Sequence, residues 1–341
     1  MTHREVSRVC ATEVRPLELV CPAGTPAALR VAVEVGADAV YCGFRDETNA
    51  RNFPGLNFSR DELRGGIAFA HSHGAKLLVA INTFPRAGDP GPWTRAVDDA
   101  VTLGADAVIL ADLGLLAYAA ERHPHLRRHL SVQAAAASSD AVAFYVEAFG
   151  VKRVVLPRVL SVAEIALVTR AVPCETEVFV FGGMCVMAEG RCSLSSYASG
   201  KSPNMHGVCS PASHVSYHEE DGCLVSRLGN FTIDHAAKGE PVGYPTPCKG
   251  CFKTKFGTGH IFEDPVSLDA RALLPALRDA GVTALKIEGR QRSRAYVRAV
   301  VGSFREALDA LDRGEPAPGG ALTALTEGQS VTHGAYLKTW R

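Results

Sequence analysis

The 341-residue chain lacks several features that would each define a class of protein. No apolar run reaches the roughly 18 to 20 residues of a membrane-spanning helix, because the best candidate, 107–120, contains Asp112. The first sixteen residues contain no apolar core of the kind that a secretory signal peptide has. From the sequence we therefore expect no membrane span and a cytoplasmic location.

The chain also lacks an excess of charge, since 36 Lys and Arg balance 36 Asp and Glu. This balance argues against a nucleic-acid partner, although a local basic groove can exist within a neutral chain. Ten cysteines are not expected to form a disulfide framework in the cytoplasm, because that compartment keeps thiols reduced. The cysteines therefore point to metal binding or thiol chemistry.

Three motifs that define common enzyme classes are missing. The twelve histidines include no H-E-x-x-H pair, and no serine lies in a G-x-S-x-G turn. The first predicted strand is followed by Cys21-Pro-Ala-Gly24 rather than by the glycine motif of dinucleotide-binding folds. These absences argue against a zinc peptidase, a serine hydrolase and a Rossmann domain.

Eight short apolar runs have the length and composition of strands, and helix-length segments with three- and four-residue apolar spacing lie between most of them. Such alternation predicts parallel strands with crossover helices, and eight units fit a (β/α)8 TIM-like barrel better than an open doubly wound sheet. The predicted strands are 17–21, 39–42, 76–81, 107–110, 130–133, 153–156, 177–181 and 284–287.

About a hundred residues separate the seventh predicted strand from the eighth, which predicts an insertion on the face of the barrel where active sites form. We expect a hairpin in it near Asp221-Gly222, and after the eighth strand a helix over 293–311. The predicted organisation is an N-terminal extension at 1–16, barrel strands 1 to 7 at 17–181, the insertion at 182–283, and strand 8, the last helix and a tail at 284–341.

Four cysteines in the insertion have the spacing C-x6-C-x16-C-x38-C: Cys185, Cys192, Cys209 and Cys248. If 184–193 is helical, the first two lie two turns apart on one face. Four thiolates suit zinc or an iron–sulfur cluster, and the scarcity of tight C-x2-C pairs favours the cluster. Simple burial of the thiols remains an alternative, and Cys251 is an alternative fourth ligand.

Polar residues after the predicted strands are candidates for a site, because a barrel directs these positions to its C-terminal face. Arginines there suit a dicarboxylate, since a guanidinium binds a carboxylate with two hydrogen bonds. Catalytic candidates are Asn82, Asp112, Gln133 and Glu288. Substrate-binding candidates are Asn49, Arg51, Asn52, Arg158 and Arg290.

Several stretches resemble the collagenase-like peptidase family U32, and the resemblance runs from about residue 17 to the C-terminus. They are 18–24, 36–41, 49–53, 181–192 and 286–290. Within this family, 157–160, 202–204, 248–250 and 288–293 resemble the UbiU branch, which acts in oxygen-independent ubiquinone biosynthesis.

The resemblance implies a [4Fe-4S] cluster on Cys185, Cys192, Cys209 and Cys248, in a hydroxylase of ubiquinone precursors with prephenate as hydroxyl donor. It also implies a heterodimer with a UbiV-like protein and a UbiT-like lipid carrier. Hydroxylation of RNA bases, known in related barrels, is the main alternative. Another alternative is a non-catalytic scaffold subunit that a zinc ion stabilises. Peptidase activity is the least favoured, because only the family's name supports it.

Overall fold

Eight parallel strands close into a barrel in the computed structural model, which describes residues 16–187, 192–201, 209–240, 242–318, 320 and 322–337. Each strand pairs with the next along the chain, and the eighth pairs with both the seventh and the first. The predicted (β/α)8 architecture is confirmed. The barrel strands are β1 Glu18–Pro22, β2 Ala39–Gly43, β3 Lys76–Ile81, β4 Ala107–Leu110, β5 Arg128–Leu130, β6 Arg153–Val155, β7 Glu175–Gly183 and β14 Ala284–Ile287.

Helices cover the outside of this barrel, and several of them begin with a residue whose side chain caps the first turn. Ser59 and Ser161 each form a capping box with a glutamate three residues on, and Gly104 and Gly150 end helices in the left-handed conformation. The helices are α1 Pro26–Glu34, α2 Arg60–Ser72, α3 Gly91–Leu103, α4 Leu113–Arg122, α5 Ser139–Phe149, α6 Val162–Ala171, α7 Ser193–Ser199, α8 Leu274–Asp279 and α9 Arg294–Asp312.

The segment between β7 and β14 forms small antiparallel sheets at the C-terminal end of the barrel. The predicted hairpin is present, because Asp221 and Gly222 both have positive φ and join its two strands in a tight turn. One further short strand pairs antiparallel with the end of β7. These strands are β8 Val215–Glu220, β9 Cys223–Leu228, β10 Phe231–Ala236, β11 Cys251–Thr254, β12 Gly257–His260 and β13 Ser267–Asp269.

The C-terminal segment packs on its own barrel. Strand β15, Val331–Thr332, pairs in parallel with β13, and the buried Tyr336 donates a hydrogen bond to the carbonyl of Phe179. Leu337, in contrast, has 64% of its surface exposed. Tyr336 therefore belongs to the core of this chain.

One local prediction is wrong, and one condition stated above is not met where the chain is described. The fifth strand lies at Arg128–Leu130 rather than at 130–133, because the Ser131 hydroxyl accepts from the Gln133 amide and turns the chain into a short 3₁₀ helix. Residues 184–187 are not helical, since β7 extends through Gly183 by pairing with β13. The next helix starts only at Ser193, with Cys192 as its N-cap.

Some predictions fall outside the described residues. They concern the N-terminal extension up to residue 15, the 202–204 stretch and the end of the C-terminal tail. Among the helices that the structure describes, none has the length and apolar character needed to cross a membrane.

Buried charges line one side of the barrel interior, whereas small apolar residues line the other. Arg153 of β6 pairs with Glu18 of β1 at 3.0 Å and with Glu177 of β7 at 3.2 Å. Glu177 also accepts from Lys286 of β14 at 2.5 Å. This chain of charges runs from the N-terminal end of the barrel towards its C-terminal end.

Candidate active site

A cavity of about 840 Å³ opens at the C-terminal end of the barrel. Its deepest lining comes from inward-facing residues of four strands, Tyr41, Ala80, Ile109 and Phe179. The small side chain of Ala80 leaves room that a larger residue would fill. The segment after β7 supplies part of the wall, including Tyr244, Lys249 and His260.

Glu288 joins two arginines that come from opposite sides of the barrel. One carboxylate oxygen lies 3.1 Å from Nη2 of Arg51, and the other lies 2.7 Å from Nη2 of Arg158. The Arg158 guanidinium also stacks over the ring of Phe179 at 3.5 Å. Burial disfavours the carboxylate, but Arg158 and Arg51 outweigh burial and lower the pKa of Glu288. Glu288 is therefore ionised at neutral pH.

Arg290 is buried beside this group and donates to the side-chain oxygen of Asn49 at 2.5 Å. Burial lowers its pKa to about 10, so the guanidinium still carries its charge near neutral pH. Asn49 itself does not line the cavity but fixes the loop after β2, since it also accepts from the Arg51 amide at 3.1 Å. Asn49 therefore positions two arginines rather than facing a ligand.

Lys286 forms a cationic part of the cavity floor. Its ammonium lies 2.5 Å from Glu177 and 3.9 Å from the centre of the Tyr41 ring. Burial lowers the pKa of Lys286, and the charge of Glu177 opposes that effect. The same desolvation raises the pKa of the Tyr41 hydroxyl, which donates to the carbonyl of Ile287 at 2.9 Å. Tyr41 is therefore neutral, and its ring forms part of the cavity wall.

Two glycines allow the segment 288–290 to reach this position. A Cβ on Gly24 would lie 1.7 Å from the carbonyl oxygen of Arg290, which is far inside contact distance. A Cβ on Gly182, which has a φ of +127°, would lie 2.6 Å from the Cβ of Glu288. The glycines of the Cys-Pro-Ala-Gly and Phe-Gly-Gly stretches thus have a packing role next to the site.

The cavity carries more positive than negative charge. Its lining includes six cationic side chains, Arg51, Arg158, Lys249, Lys286, Arg290 and Arg292, and three carboxylates, Asp234, Glu288 and Glu327. Lys249 and Arg292 both pair with Glu327. An anionic ligand suits this electrostatic environment, because guanidinium groups bind carboxylates and phosphates with directed hydrogen bonds.

Most of the residues that the sequence predicts for the site come together here. Arg51, Asn82, Gln133, Arg158, Glu288 and Arg290 line the cavity. Asp112 instead caps helix α4 by accepting from the Leu115 amide at 2.9 Å. Asn52 lies in a separate surface depression with Arg60 and Asp99.

Sequence reasoning missed Lys249 and Lys286. Lys286 lies two residues before Glu288 in an otherwise apolar strand, and this alternation was a usable signal for an inward-facing charge. Of the basic run that follows β14, Arg290 and Arg292 face the cavity, whereas Arg298 pairs with Glu34 on the outside.

Four of the six cysteines of the insertion, Cys185, Cys192, Cys209 and Cys248, lie near one another and close to Lys249 of the cavity wall. Burial raises the pKa of the Cys248 thiol, and the nearby Cys209 and Cys192 sulfurs raise it further. The Cys185 sulfur lies close enough to Lys249 to raise the pKa of the lysine ammonium, but burial lowers that pKa overall. The electrostatic neighbour of Cys251 is Asp234.

Within the described ranges, no three Cys, His, Asp or Glu side chains approach closely enough to hold a single metal ion. Thiolates are the ligands that iron–sulfur clusters use, and four cysteines lie near one another here. These four cysteines are chemically suited to hold such a cluster.

The fold and the site define a class: a (β/α)8 barrel with a cationic cavity and a cysteine-bearing insertion at its C-terminal end. The chain belongs to peptidase family U32, whose family model matches residues 24–333.

Relatives in this family are named for two kinds of chemistry, RNA hydroxylation and proteolysis. The chain is 33% identical to tRNA hydroxylation protein P of Escherichia coli over 338 residues, which cover 94% of this chain and 73% of that protein. It is 31% identical to the 23S rRNA 5-hydroxycytidine C2501 synthase of E. coli, covering 88% of this chain but 40% of the synthase. A collagenase of Porphyromonas gingivalis is 26% identical, with 88% of this chain and 67% of that protein covered.

Proposed function

We propose that this protein is a component of an RNA hydroxylase that adds oxygen to a base of tRNA or rRNA. The observation that carries this proposal is the similarity to a tRNA hydroxylation protein over 94% of the chain. The cationic cavity supports it, because a nucleotide brings a negatively charged phosphate with its base. A neutral whole-chain charge does not conflict with a local cationic site.

We propose further that Cys185, Cys192, Cys209 and Cys248 hold a [4Fe-4S] cluster. Such a cluster supplies one-electron transfer when it is bound. The residues of the barrel bind the co-substrate and exclude water. Arg51 and Arg158 bind an anionic co-substrate, for which the resemblance indicates prephenate, and Glu288 holds both guanidinium groups in place. The apolar side chains of Ile109 and Phe179 exclude water from the floor.

A second candidate is hydroxylation of a ubiquinone precursor together with a UbiV-like protein and a UbiT-like lipid carrier. It is favoured by the four short stretches that resemble the UbiU branch, among them Glu288-Gly-Arg-Gln-Arg-Ser293. The apolar floor of the cavity is also compatible with an aromatic ring. Both candidates place the same chemistry at the same site.

The two candidates are separated by mass spectrometry on a strain that lacks the gene. Digested tRNA and rRNA are searched for nucleosides that lose the mass of one oxygen atom, and the quinones of the same cells are profiled in parallel. We expect a hydroxylated nucleoside to disappear and to return with the wild-type gene. Unchanged nucleosides with accumulation of a quinone precursor would overturn the RNA proposal in favour of the second candidate.

The cluster is tested by alanine replacement of single cysteines in protein purified without oxygen. Replacing Cys185, Cys192 or Cys209 should remove nearly all bound iron and the visible absorption of the cluster. Cys223→Ala is the matched control in the same insertion and should keep both. Loss of iron in Cys251→Ala together with its retention in Cys248→Ala would move the fourth ligand by three residues.

A further inference from the structure

The hairpin formed by β11 and β12 extends from the cavity wall and ends in a two-residue turn. Thr254 pairs with Gly257 across the turn, and Lys255 and Phe256 form its tip. The Thr254 hydroxyl accepts from the Phe256 amide at 3.1 Å and donates to the Gly257 carbonyl at 3.0 Å. These bonds fix the backbone of the tip, so its side chains are presented from a defined scaffold.

The tip carries an aromatic ring and unpaired positive charge. Phe256 has 88% of its surface exposed, more than any other large hydrophobic residue in the described part of the chain. The ammonium of Lys255 lies 4.8 Å from the centre of its ring. Lys253 and Lys255 are exposed, and neither reaches a carboxylate within ion-pair distance among the residues described.

The base of the same hairpin belongs to the cavity. His260 ends β12 and lines the cavity wall. Its Nδ1 lies 3.0 Å from the carbonyl oxygen of Lys249, so this nitrogen carries the proton and donates. A ligand that extends out of the cavity along this hairpin therefore meets Lys253 and then the tip.

We propose that this hairpin is a binding arm for single-stranded RNA, with Phe256 stacking on an unpaired base and Lys253 and Lys255 contacting phosphates. This inference rests on the proposed function and names how that substrate is held outside the cavity. Exposed aromatic rings next to cations are the elements that single-stranded nucleic acids require, because every base has a stacking face and every nucleotide a charge.

The charge and size of the tip favour RNA over a protein partner. A protein interface needs a surface of several hundred Å² per partner with an apolar centre, and a two-residue turn flanked by lysines offers one ring. Neither lysine has a carboxylate partner among the residues that the structure describes, so their charge is available to phosphates. The position beside the cavity also places the contacted nucleotides next to the base that reacts.

The arm is tested with the full-length protein and a fluorescent single-stranded RNA of about 12 nucleotides, by fluorescence anisotropy. Phe256→Ala should weaken binding about tenfold, because a stacked base is lost, whereas Phe256→Trp should bind as well as the wild type. Phe144→Ala is the matched control, since Phe144 is an exposed aromatic residue on α5 at the side of the barrel.

The charge contribution is tested by salt titration of the double variant Lys253→Gln, Lys255→Gln. The slope of log affinity against log salt should fall by about 1.4, since each phosphate contact on a single strand contributes about 0.7. Lys152→Gln is the control, because Lys152 is exposed just before β6, at the opposite end of the barrel. Wild-type affinity and slope in both hairpin variants would overturn the proposal and leave a protein partner as the occupant.

The experiments distinguish failure of the hairpin proposal from failure of the proposed hydroxylase function. If hydroxylated nucleosides depend on the gene but hairpin variants bind and hydroxylate RNA normally, the hairpin proposal fails and the function stands. If no nucleoside depends on the gene, yet RNA binding requires Phe256 and the lysines, the hydroxylase proposal fails and the binding arm stands.

Discussion

Glu288 determines how the arginines of the cavity are arranged. It accepts from Arg51 after β2 and from Arg158 after β6, which are opposite strands of the barrel. Without this carboxylate, two guanidinium groups would repel each other and lose a shared hydrogen-bond acceptor. Glu288 is thus a positioning residue whose effect is transmitted through its neighbours.

At this residue we expect Glu288→Gln to reduce hydroxylated product at least tenfold while iron content and thermal unfolding change little. Glutamine keeps the shape of the side chain but removes the charge that orients Arg51 and Arg158. Product is measured by nucleoside mass spectrometry in cells carrying each variant. Glu306→Gln, on the exposed face of α9, is the control. Full activity of Glu288→Gln would refute the positioning role.

Gly24 offers a second test at the scale of one residue. Alanine there places a Cβ on the Arg290 carbonyl, and backbone must move to relieve the contact. We expect Gly24→Ala to destabilise the protein by about 3 kcal/mol in urea unfolding. Gly302→Ala should instead stabilise it by about 0.5 to 1 kcal/mol, because Gly302 lies inside α9 with open space around it. Equal effects at both positions would contradict the close approach.

At the scale of elements, the sequence predicts the regular part of the barrel well. Strands such as Ala107–Leu110 are short apolar runs between polar turns, and this local pattern is what the barrel requires. The last helix, Arg294–Asp312, lies within one residue of the predicted 293–311, and Ser293 is its N-cap. Local rules therefore suffice where neighbouring units repeat.

The elements that the sequence misses depend on distant partners. Strand β13 exists because Ser267 and its neighbours pair with the end of β7, and β15 exists because it pairs with β13. The same pairing keeps Gly183 extended, and the described residues 184–187 that follow it are not helical. The candidate site likewise contains residues of both kinds. Residues at strand ends, such as Arg158, can be predicted from the sequence, whereas the position of Lys249 depends on how the insertion packs.

The ion pairs between β1 and β6 predict how stability varies with pH. Burial alone would raise the pKa of Glu18, but Arg153 and Lys76 lower it from 4.5 to about 2. A carboxylate with a depressed pKa stabilises the fold above the unfolded-state pKa and loses this contribution as pH falls from about 4.5 towards 2. The contribution at neutral pH is about 3 kcal/mol.

We therefore expect the free energy of unfolding to fall by about 2 kcal/mol more in the wild type than in Glu18→Gln between pH 7 and pH 3. Urea titrations at several pH values measure this difference. Glu34→Gln is the control, because Glu34 forms an exposed ion pair with Arg298 and should follow the wild-type curve. Parallel curves for wild type and Glu18→Gln would exclude the proposed linkage.

At the scale of the whole molecule, the C-terminal segment joins the insertion to the barrel. Glu327 pairs with Lys249 of the insertion, and Tyr336 is buried against β7. Residues far apart in the chain thus enclose one cavity. A UbiV-like partner, which belongs to the second candidate function, would have to bind a surface outside these contacts.

Truncation of the tail separates its structural role from partner binding. A chain ending at Gly334 should be less stable by about 3 to 5 kcal/mol, because it loses the buried Tyr336. A chain ending at Leu337 keeps Tyr336 and should be more stable than the chain ending at Gly334. Thermal unfolding and co-purification of the partner are measured for both. An unchanged melting temperature after truncation at Gly334 would show that the Tyr336 contact contributes little.

The chain of buried charges from Glu18 through Arg153 and Glu177 to Lys286 has a consequence for genetics. It connects the end of the barrel opposite the cavity with the cavity floor, so a substitution at Arg153 leaves Glu177 with Lys286 as its remaining ion-pair partner. Loss-of-function alleles should therefore arise at both ends of the barrel axis. An inactive allele at Arg153 would then identify a defect in the support of Lys286 rather than a second active site.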